Sequence, residues 1–462
     1  MKGFLVAGTA SGVGKTTVTL VLTAALRRQG YTVQPFKGGP DFLDTGHHTR
    51  ISGRTARNLD TWMLDAEANR DVLRCASQGA DVLLVEGMMG LFDGKGGASE
   101  TGSSAEIAKL LKLPVVLVLD AGKSARSIAA VVLGFELFDR ELTLAGIILN
   151  RVASERHYQM LAAAIGSACK TPVLGWLPRE PAIAIPERHL GLQTVEEATL
   201  HGDLDERIDA LARLAEHLDL PRLLQLECGL ALPAKEPPTP SPASERIRIG
   251  VARDRAFSFY YEDNLDLLGR QGATLVPFSP MHDQRLPPDL DALYLAGGYP
   301  ELYADQIGTN SALLSAVREF AASGRPVYAE CGGMIFLSQQ LTALDGTVYP
   351  MAGVLPFEIE MTQRLVGFGY VTLELTHDCP LGSAGTVLRG HSFHYSRIAN
   401  LPEVATNYRV RYSLSGREED EGYRQGNVLA SYMHVHFRAH AAIPRSFVEA
   451  AIASRAAHLV SR

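Results

Sequence analysis

Ten residues near the start of the chain constrain its fold more than any others: Gly8-Thr9-Ala10-Ser11-Gly12-Val13-Gly14-Lys15-Thr16-Thr17. They follow the apolar run Phe4-Leu5-Val6-Ala7 and lead into a helix-patterned stretch, Val18 to Arg28. A strand, a small-residue loop, Lys-Thr and a helix together form a phosphate cradle. Small side chains let backbone N–H groups close on phosphates, the lysine neutralises the terminal ones, and the threonine hydroxyl can ligate Mg²⁺. The loop is a variant of G-x-x-x-x-G-K-[ST], with Thr9 where a glycine would stand and Gly8 beside it. Gly12, Val13, Gly14, Lys15, Thr16 and Thr17 are the candidate nucleotide contacts.

A chain of 462 residues suits about two or three domains. Its 46% hydrophobic and 21% charged content is that of an ordinary soluble protein. A net charge of −7 argues against a nucleic-acid-binding face, which must be basic. The five cysteines (Cys75, Cys169, Cys228, Cys331, Cys379) are scattered and form no CxxC pair, which suits a reducing cytoplasm and gives no zinc or disulfide framework. The first apolar segment is too short for the core of a signal peptide, and no run approaches the ~18 apolar residues of a membrane span. The expectation is a cytoplasmic protein with neither nucleic acid nor membrane as partner.

The stretch from Leu232 to Ser244 carries five prolines and reads as an extended spacer. It divides the chain into residues 1–232, a linker at 233–245, and residues 246–462. Before it, the strand candidates Thr32–Phe36, Asp81–Val85, Pro114–Leu119, Ala145–Leu149 and Pro172–Leu174 alternate with helix-like segments such as Ala66–Ser77, Ser104–Leu111 and Ser124–Leu137. Near-continuous Val/Leu/Ile runs predict strands buried on both faces, hence a parallel sheet flanked by helices. After the linker, Ile247–Val251, Thr274–Pro277, Ala292–Leu295 and Val327–Ala329 repeat that style, with helices near Asn264–Arg270 and Ala312–Ala322. The later stretches Val366–Leu375, Ser383–Ser396 and Asn427–Phe437 are richer in strand signal. The fold class is α/β in two domains.

Two acidic clusters end strands of the first half. One is Lys37-Gly38-Gly39-Pro40-Asp41-Phe42-Leu43-Asp44, followed by His47 and His48; the other is Val85-Glu86-Gly87-Met88-Met89-Gly90-Leu91-Phe92-Asp93-Gly94. Ligands of open parallel sheets bind beyond the carboxyl ends of the strands, where Lys15, Asp41 and Glu86 should converge. Mg²⁺ takes few protein ligands, and Thr16, Asp41 and Glu86 are the expected set. Asp41, Asp44 and Asp93 also suit turns beside proline and glycine, and His47 and His48 read as loop residues, with His48 in reach of an anionic substrate. Asn150, after Gly146–Leu149, is placed to read a purine edge or to cap a helix.

In the second half, Pro326-Val327-Tyr328-Ala329-Glu330-Cys331-Gly332-Gly333-Met334 sets a cysteine at a strand-to-helix elbow, which exposes a sulfur and favours its thiolate. Its candidate base lies in Ser431-Tyr432-Met433-His434-Val435-His436-Phe437, where His434 and His436 share one face of a strand. Gly297 and Gly298, in Leu295-Ala296-Gly297-Gly298-Tyr299-Pro300-Glu301, offer backbone N–H groups for an oxyanion. His391 and His394, in Arg389-Gly390-His391-Ser392-Phe393-His394-Tyr395-Ser396, read as packing or interface residues as well as functional ones.

In this order, GTASGVGKTT, KGGPDFLD with its trailing His48, VEGMMGLFDG, LAGGYPE, AECGGM, RGHSFHYS and SYMHVHF resemble the cobyrinic acid a,c-diamide synthase family over essentially the whole chain. The resemblance implies a dethiobiotin-synthetase-like P-loop ATPase domain joined to a flavodoxin-like, triad-type (class I) glutamine amidotransferase domain. It implies ATP- and glutamine-dependent amidation of the a and c acetates of a corrin ring through an acyl phosphate, with Mg²⁺. Carried over by motif, Lys15 and Thr16 match the phosphate and Mg²⁺ positions and Asp41 and Glu86 the metal carboxylates. Lys37, Asp44, His48 and Asp93 border corrinoid or nucleotide, Cys331 is the nucleophile and His434 its activating histidine. Class I amidotransferases usually carry H-x-E, whereas here the third position is His436, and Glu330 is not an obvious replacement.

The corrinoid tetrapyrrole is the implied partner, and assembly as a homodimer is left open. The nearest alternative is a Ni-sirohydrochlorin a,c-diamide synthase; cobyric acid synthase resembles the architecture but lacks the KGGPDFLD and VEGMMGLFDG motifs. A partitioning-type switch ATPase is more distant, because its signature lysine is replaced here by Ala10 and it has no use for an amidotransferase half.

Overall fold

The structure is a computed structural model that describes residues 1–179, 204–231 and 247–460, with two short strands, Glu187–Arg188 and Gly191–Leu192. The chain falls into two compact units, Met1–Lys235 and Glu236–Arg462. The proline-rich linker expected at 233–245 lies outside the described residues. Among the described residues, no helix is long and apolar enough to cross a membrane.

The first unit is built on seven parallel strands: β1 (Lys2–Gly8), β2 (Val33–Gly38), β3 (Arg57–Leu59), β4 (Val82–Glu86), β5 (Val115–Asp120), β6 (Leu144–Val152) and β7 (Val173–Pro178). Their spatial order is β3-β2-β4-β1-β5-β6-β7. Val82, Leu83, Leu84 and Val85 are all fully buried although they alternate between faces, which is why the sheet needs helices on both sides. On one side α1 (Lys15–Arg28) buries Val18, Val21 and Leu22 in a cluster with Ile208 and Leu211 of the helix Leu204–Leu214. Register then gathers the site: Glu86 pairs with Val6 of β1 on one side and with Lys37 of β2 on the other.

The segment read as a loop after Asp41 is instead a helix, α2 (Leu43–Ser52), and it carries His47 and His48 buried. Its sequence, Leu-Asp-Thr-Gly-His-His-Thr-Arg-Ile-Ser, has almost no apolar periodicity, so pattern alone could not show it. The side chain that starts it is Asp41, whose Oδ1 accepts the backbone N–H of Leu43 (2.9 Å) and Asp44 (3.0 Å).

The second unit opens with five parallel strands: Ile247–Ala252, Ala273–Phe278, Ala292–Leu295, Val327–Glu330 and Val428–Ser431. Numbered by sequence they lie in the order 2-1-3-4-5, the flavodoxin-like arrangement. Five antiparallel strands continue the sheet: Glu418–Gln425, Ala405–Tyr412, Gly367–Leu375, Val387–His394 and Met433–Val435. The last of these is separated in sequence from Val428–Ser431 by Tyr432 alone, yet stands at the far edge of the sheet. The antiparallel part therefore curls round until its end meets its beginning. Ala405–Tyr412 and Glu418–Gln425 carry no apolar run, because most of their exposed positions are Arg, Glu, Asp or Gln.

Candidate active sites

In the first unit the loop between β1 and α1 is shaped by glycine. Gly12 and Gly14 take positive φ (77° and 93°), and a Cβ on Gly14 would meet Asn150 Nδ2 at 2.1 Å. Asn150, at the end of β6, donates that amide to the Val13 carbonyl (2.9 Å), and its Oδ1 accepts the Arg151 N–H (2.9 Å). It holds the loop's shape; a second amide hydrogen is what it could still offer a purine. Lys15 is buried, with Nζ 3.4 Å from the Ala10 carbonyl, and burial followed by the nearby charge of Lys37 lowers its pKa. Asp93 accepts the Gly90 N–H (2.9 Å), fixing a turn whose Leu91 N–H reaches the Gly8 carbonyl (2.8 Å). Its charge also acts on Lys15.

Around this loop lies a dense polar cluster. Lys37 Nζ is 2.5 Å from Asp44 Oδ2 and 2.8 Å from Glu86 Oε1. Thr16 Oγ1 donates to Glu86 Oε1 at 2.7 Å and lies 3.4 Å from Asp44 Oδ2. His48 Nε2 meets Glu86 Oε2 at 2.7 Å. Burial alone would raise the Glu86 carboxyl, but Lys37 and His48 hold it well below the usual range. Burial also works against the charge on Lys37, and Asp44 and Glu86 more than offset it, raising its pKa.

The sequence points to Thr16, Asp41 and Glu86 for the metal. Thr16 and Glu86 are together, but the carboxylate that joins them is Asp44, because helix α2 turns Asp44 inward while Asp41 caps the helix, its Oδ2 3.9 Å from Lys37. Asp44 Oδ1 is buried with no hydrogen-bond partner among the described residues. Among the described residues there is no cluster of three or more His, Cys, Asp or Glu arranged to hold a metal. A hydroxyl and two carboxylates, completed by water and phosphate oxygens, is nonetheless the donor set that suits Mg²⁺.

In the second unit Cys331 stands between the strand Val327–Glu330 and the helix Gly332–Leu337 with φ 46° and ψ −99°, a left-handed backbone for a residue with a Cβ. Its N–H is held by the Ser431 carbonyl (2.7 Å), and its side chain interacts with that of His434. His434 is 2% exposed; burial works against its charge, yet the contacts with Cys331 and Glu330 push it up to about 9. The glycine loop borders the pair. A Cβ on Gly297 would stand 2.6 Å from His434 Cε1, one on Gly298 would stand 1.9 Å from the Ala256 carbonyl oxygen, and one on Gly332 would meet the Gly298 nitrogen at 3.0 Å.

The other histidines divide. His391 pairs with His434 across the antiparallel strands, and their rings stack with centroids 4.8 Å apart. Burial, then the neighbouring His434, holds the His391 pKa well below the ordinary histidine value. His394 stacks on Tyr432 (3.7 Å) and its Nδ1 meets the Ser396 carbonyl (2.8 Å). His436, expected to share a strand face with His434, lies just beyond the end of that strand at Val435; it accepts the Arg438 N–H at Nδ1 (3.2 Å) and packs on Tyr261 (4.7 Å). Glu330 is 1% exposed and its Oε2 lies 3.8 Å from His434 Nδ1. Its position was legible as strand alternation with Tyr328, but its direction toward His434 depends on strands distant in sequence.

Two family models match the chain, one in each half. Residues 4–192 match the CobQ/CobB/MinD/ParA nucleotide binding domain, and residues 248–442 the CobB/CobQ-like glutamine amidotransferase domain. The cobyrinate a,c-diamide synthase of Syntrophotalea carbinolica is 46% identical over 96% of this chain and 97% of its own length. The chain belongs to the cobyrinate a,c-diamide synthase family. Proteins of the same name from Listeria monocytogenes (42% identical, covering 95% of this chain and 96% of the relative) and Salmonella typhimurium (43%, 94% and 95%) extend the match. As a member, the chain is a glutamine-hydrolysing amide ligase with a P-loop nucleotide-binding domain.

Proposed function

We propose that the chain uses ATP and glutamine to amidate the a and c acetate carboxylates of a corrin ring, cobyrinate or hydrogenobyrinate, in cobalamin biosynthesis. Residues 1–232 form the synthetase domain and residues 246–462 the amidotransferase domain. What carries the reading is identity above 40% over nearly the whole chain to relatives named for this conversion, joined to two sites that supply its two half-reactions.

At the second site the Cys331 thiolate attacks the glutamine side-chain amide, and His434 protonates the departing nitrogen, which leaves as ammonia. The N–H groups of Gly297 and Gly298 hold the oxyanion, and water hydrolyses the glutamyl thioester to glutamate and free thiol. At the first site the ring's carboxylate oxygen attacks the ATP γ-phosphorus and ADP leaves. Ammonia then attacks the acyl phosphate, giving the amide and inorganic phosphate. Lys15 and the N–H groups from Gly12 to Thr17 neutralise the phosphates. Thr16, Asp44 and Glu86 would hold Mg²⁺, which draws charge from the phosphate oxygens. Lys37, His48 and Asp93 shape the polar wall on which the ring's carboxylate is received.

Purified protein with ATP, Mg²⁺, glutamine and candidate macrocycles tests the reading, with mass spectrometry counting carboxylate-to-amide conversions. Two conversions on cobyrinate or hydrogenobyrinate are expected. Conversion confined to Ni-sirohydrochlorin would replace the corrin as substrate. Cys331→Ser should abolish glutamine use and keep ammonia-supported amidation; glutamine use retained in that variant would remove Cys331 from its role.

A further inference from the structure

The glutamine site contains a buried carboxyl group that the reaction as written does not use. Glu330 immediately precedes Cys331, and three neutral donors fix it: Tyr328 OH on Oε1 at 2.7 Å, the Val435 N–H on Oε1 at 3.0 Å, and Tyr294 OH on Oε2 at 3.3 Å. Its Oε2 also faces His434 Nδ1 at 3.8 Å. A carboxylate taken from water at such cost is held where a positive charge has to be matched. The Val435 contact is informative, because that backbone N–H belongs to the residue after His434. One carboxyl oxygen thus anchors the histidine's strand while the other faces the histidine's ring.

We propose that Glu330 is the positioning residue of the glutamine site, turning His434 so that Nδ1 faces the carboxylate and Nε2 the thiol, and stabilising the imidazolium that pairs with the Cys331 thiolate. This rests on the reading of Cys331 and His434 given above. A ring nitrogen bound to an acceptor fixes which nitrogen serves the nucleophile. The remaining neighbours do not duplicate the role. His391 stacks on the face of the His434 ring and is kept neutral by burial. His436 is occupied by Arg438 and Tyr261. The carboxylate therefore reaches the histidine from the nucleophile's own strand, and the residue two places after the histidine is not needed for it.

Glu330→Gln in the full chain is the test, because it keeps the shape and the acceptor for Val435 while removing the charge. It should lower kcat for glutamine hydrolysis about 100-fold or more with KM within about threefold, and leave ammonia-supported amidation unchanged. The pH midpoint for alkylation of Cys331 by iodoacetamide, read on the Cys331 peptide by mass spectrometry, should move upward by about one unit, since the thiolate loses its stabilised partner. A role in packing alone would not move that midpoint. Tyr328→Phe removes one strut and keeps the charge, so it should stay within about tenfold of the unaltered chain. Glutamine hydrolysis by Glu330→Gln within twofold of normal, an unmoved midpoint, or equal losses in Tyr328→Phe and Glu330→Gln would each overturn the assignment. Cys331→Ser run alongside separates the levels: if it abolishes hydrolysis while Glu330→Gln does not, only the role of Glu330 falls.

Discussion

Lys37 and Glu86 face each other across adjacent parallel strands, their charged atoms 2.8 Å apart and both side chains buried. Glu86 is at the same time the acceptor for Thr16 and the partner of His48, so a single carboxylate ties β4 to α1, β2 and α2. Removing one partner of such a pair strands a buried charge and costs about 3–5 kcal/mol, whereas removing both costs less. Lys37→Met strands the carboxylates of both Glu86 and Asp44, whereas Glu86→Gln leaves Lys37 paired with Asp44. Lys37→Met should therefore lower the thermal midpoint more than Glu86→Gln, and adding Glu86→Gln to it should cost less than Glu86→Gln alone. Calorimetry of the three variants checks this; a double variant as unstable as the sum of the singles would show the two residues to be uncoupled.

Asp41 and Asp44 make different contacts in the fold, one starting a helix and the other facing Thr16 of the phosphate loop. Asp41→Ala should cost about 1 kcal/mol of stability, the usual price of a lost cap, and leave the Mg²⁺ dependence of amidation unaltered. Asp44→Asn should instead raise the Mg²⁺ concentration needed for half-maximal ammonia-supported amidation at least about tenfold. Magnesium titrations of the two variants, with melting curves beside them, distinguish the roles.

Gly298 tolerates no side chain, since its Cβ would lie 1.9 Å from a backbone oxygen of Ala256. Gly298→Ala should displace the loop beside Cys331 and reduce glutamine hydrolysis by about 100-fold or more, the range for loss of one oxyanion donor. Amidation from ammonium salts should be spared. Steady-state rates with the two nitrogen sources provide the comparison.

His394 is buried against Tyr432, and burial holds its pKa down to about 4. In the unfolded chain a histidine takes up its proton near pH 6.5. Between those values the unfolded state binds more protons, so stability rises with pH through this window and falls on acidification, by about 3 kcal/mol at full extent. Buried His391, likewise depressed, adds to the same slope. Denaturant unfolding of the unaltered chain and of His394→Gln from pH 7 to pH 4 isolates this group from buried carboxyls such as Glu301 and Glu421, which titrate with the opposite sign. The unaltered chain should lose stability relative to the variant on acidification.

The parallel strands of both units could be read from their apolar runs, because a strand covered on both faces leaves little choice of residue. The phosphate loop and the cysteine elbow were legible for a related reason: each needs glycines at fixed offsets from one reactive side chain. Helix α2 was hidden because its polar residues face a site instead of solvent, so the usual contrast between faces is missing. That Asp44 rather than Asp41 lies beside Thr16 and Glu86 follows from that helix. Glu330 could be placed on its strand, but its meeting with His434 depends on register between segments about a hundred residues apart, which local spacing does not encode.

The curl that brings Met433–Val435 beside Val387–His394 has a bearing on how the chain matures. Cys331 ends a strand of the parallel part, whereas His434, about a hundred residues later, is fastened only when a long antiparallel excursion has returned to its origin. Pairings of such separation form late. A nascent chain would carry its sulfur without the imidazole that arms it until His434 had emerged and docked, and glutamine would be safe from wasteful cleavage until then.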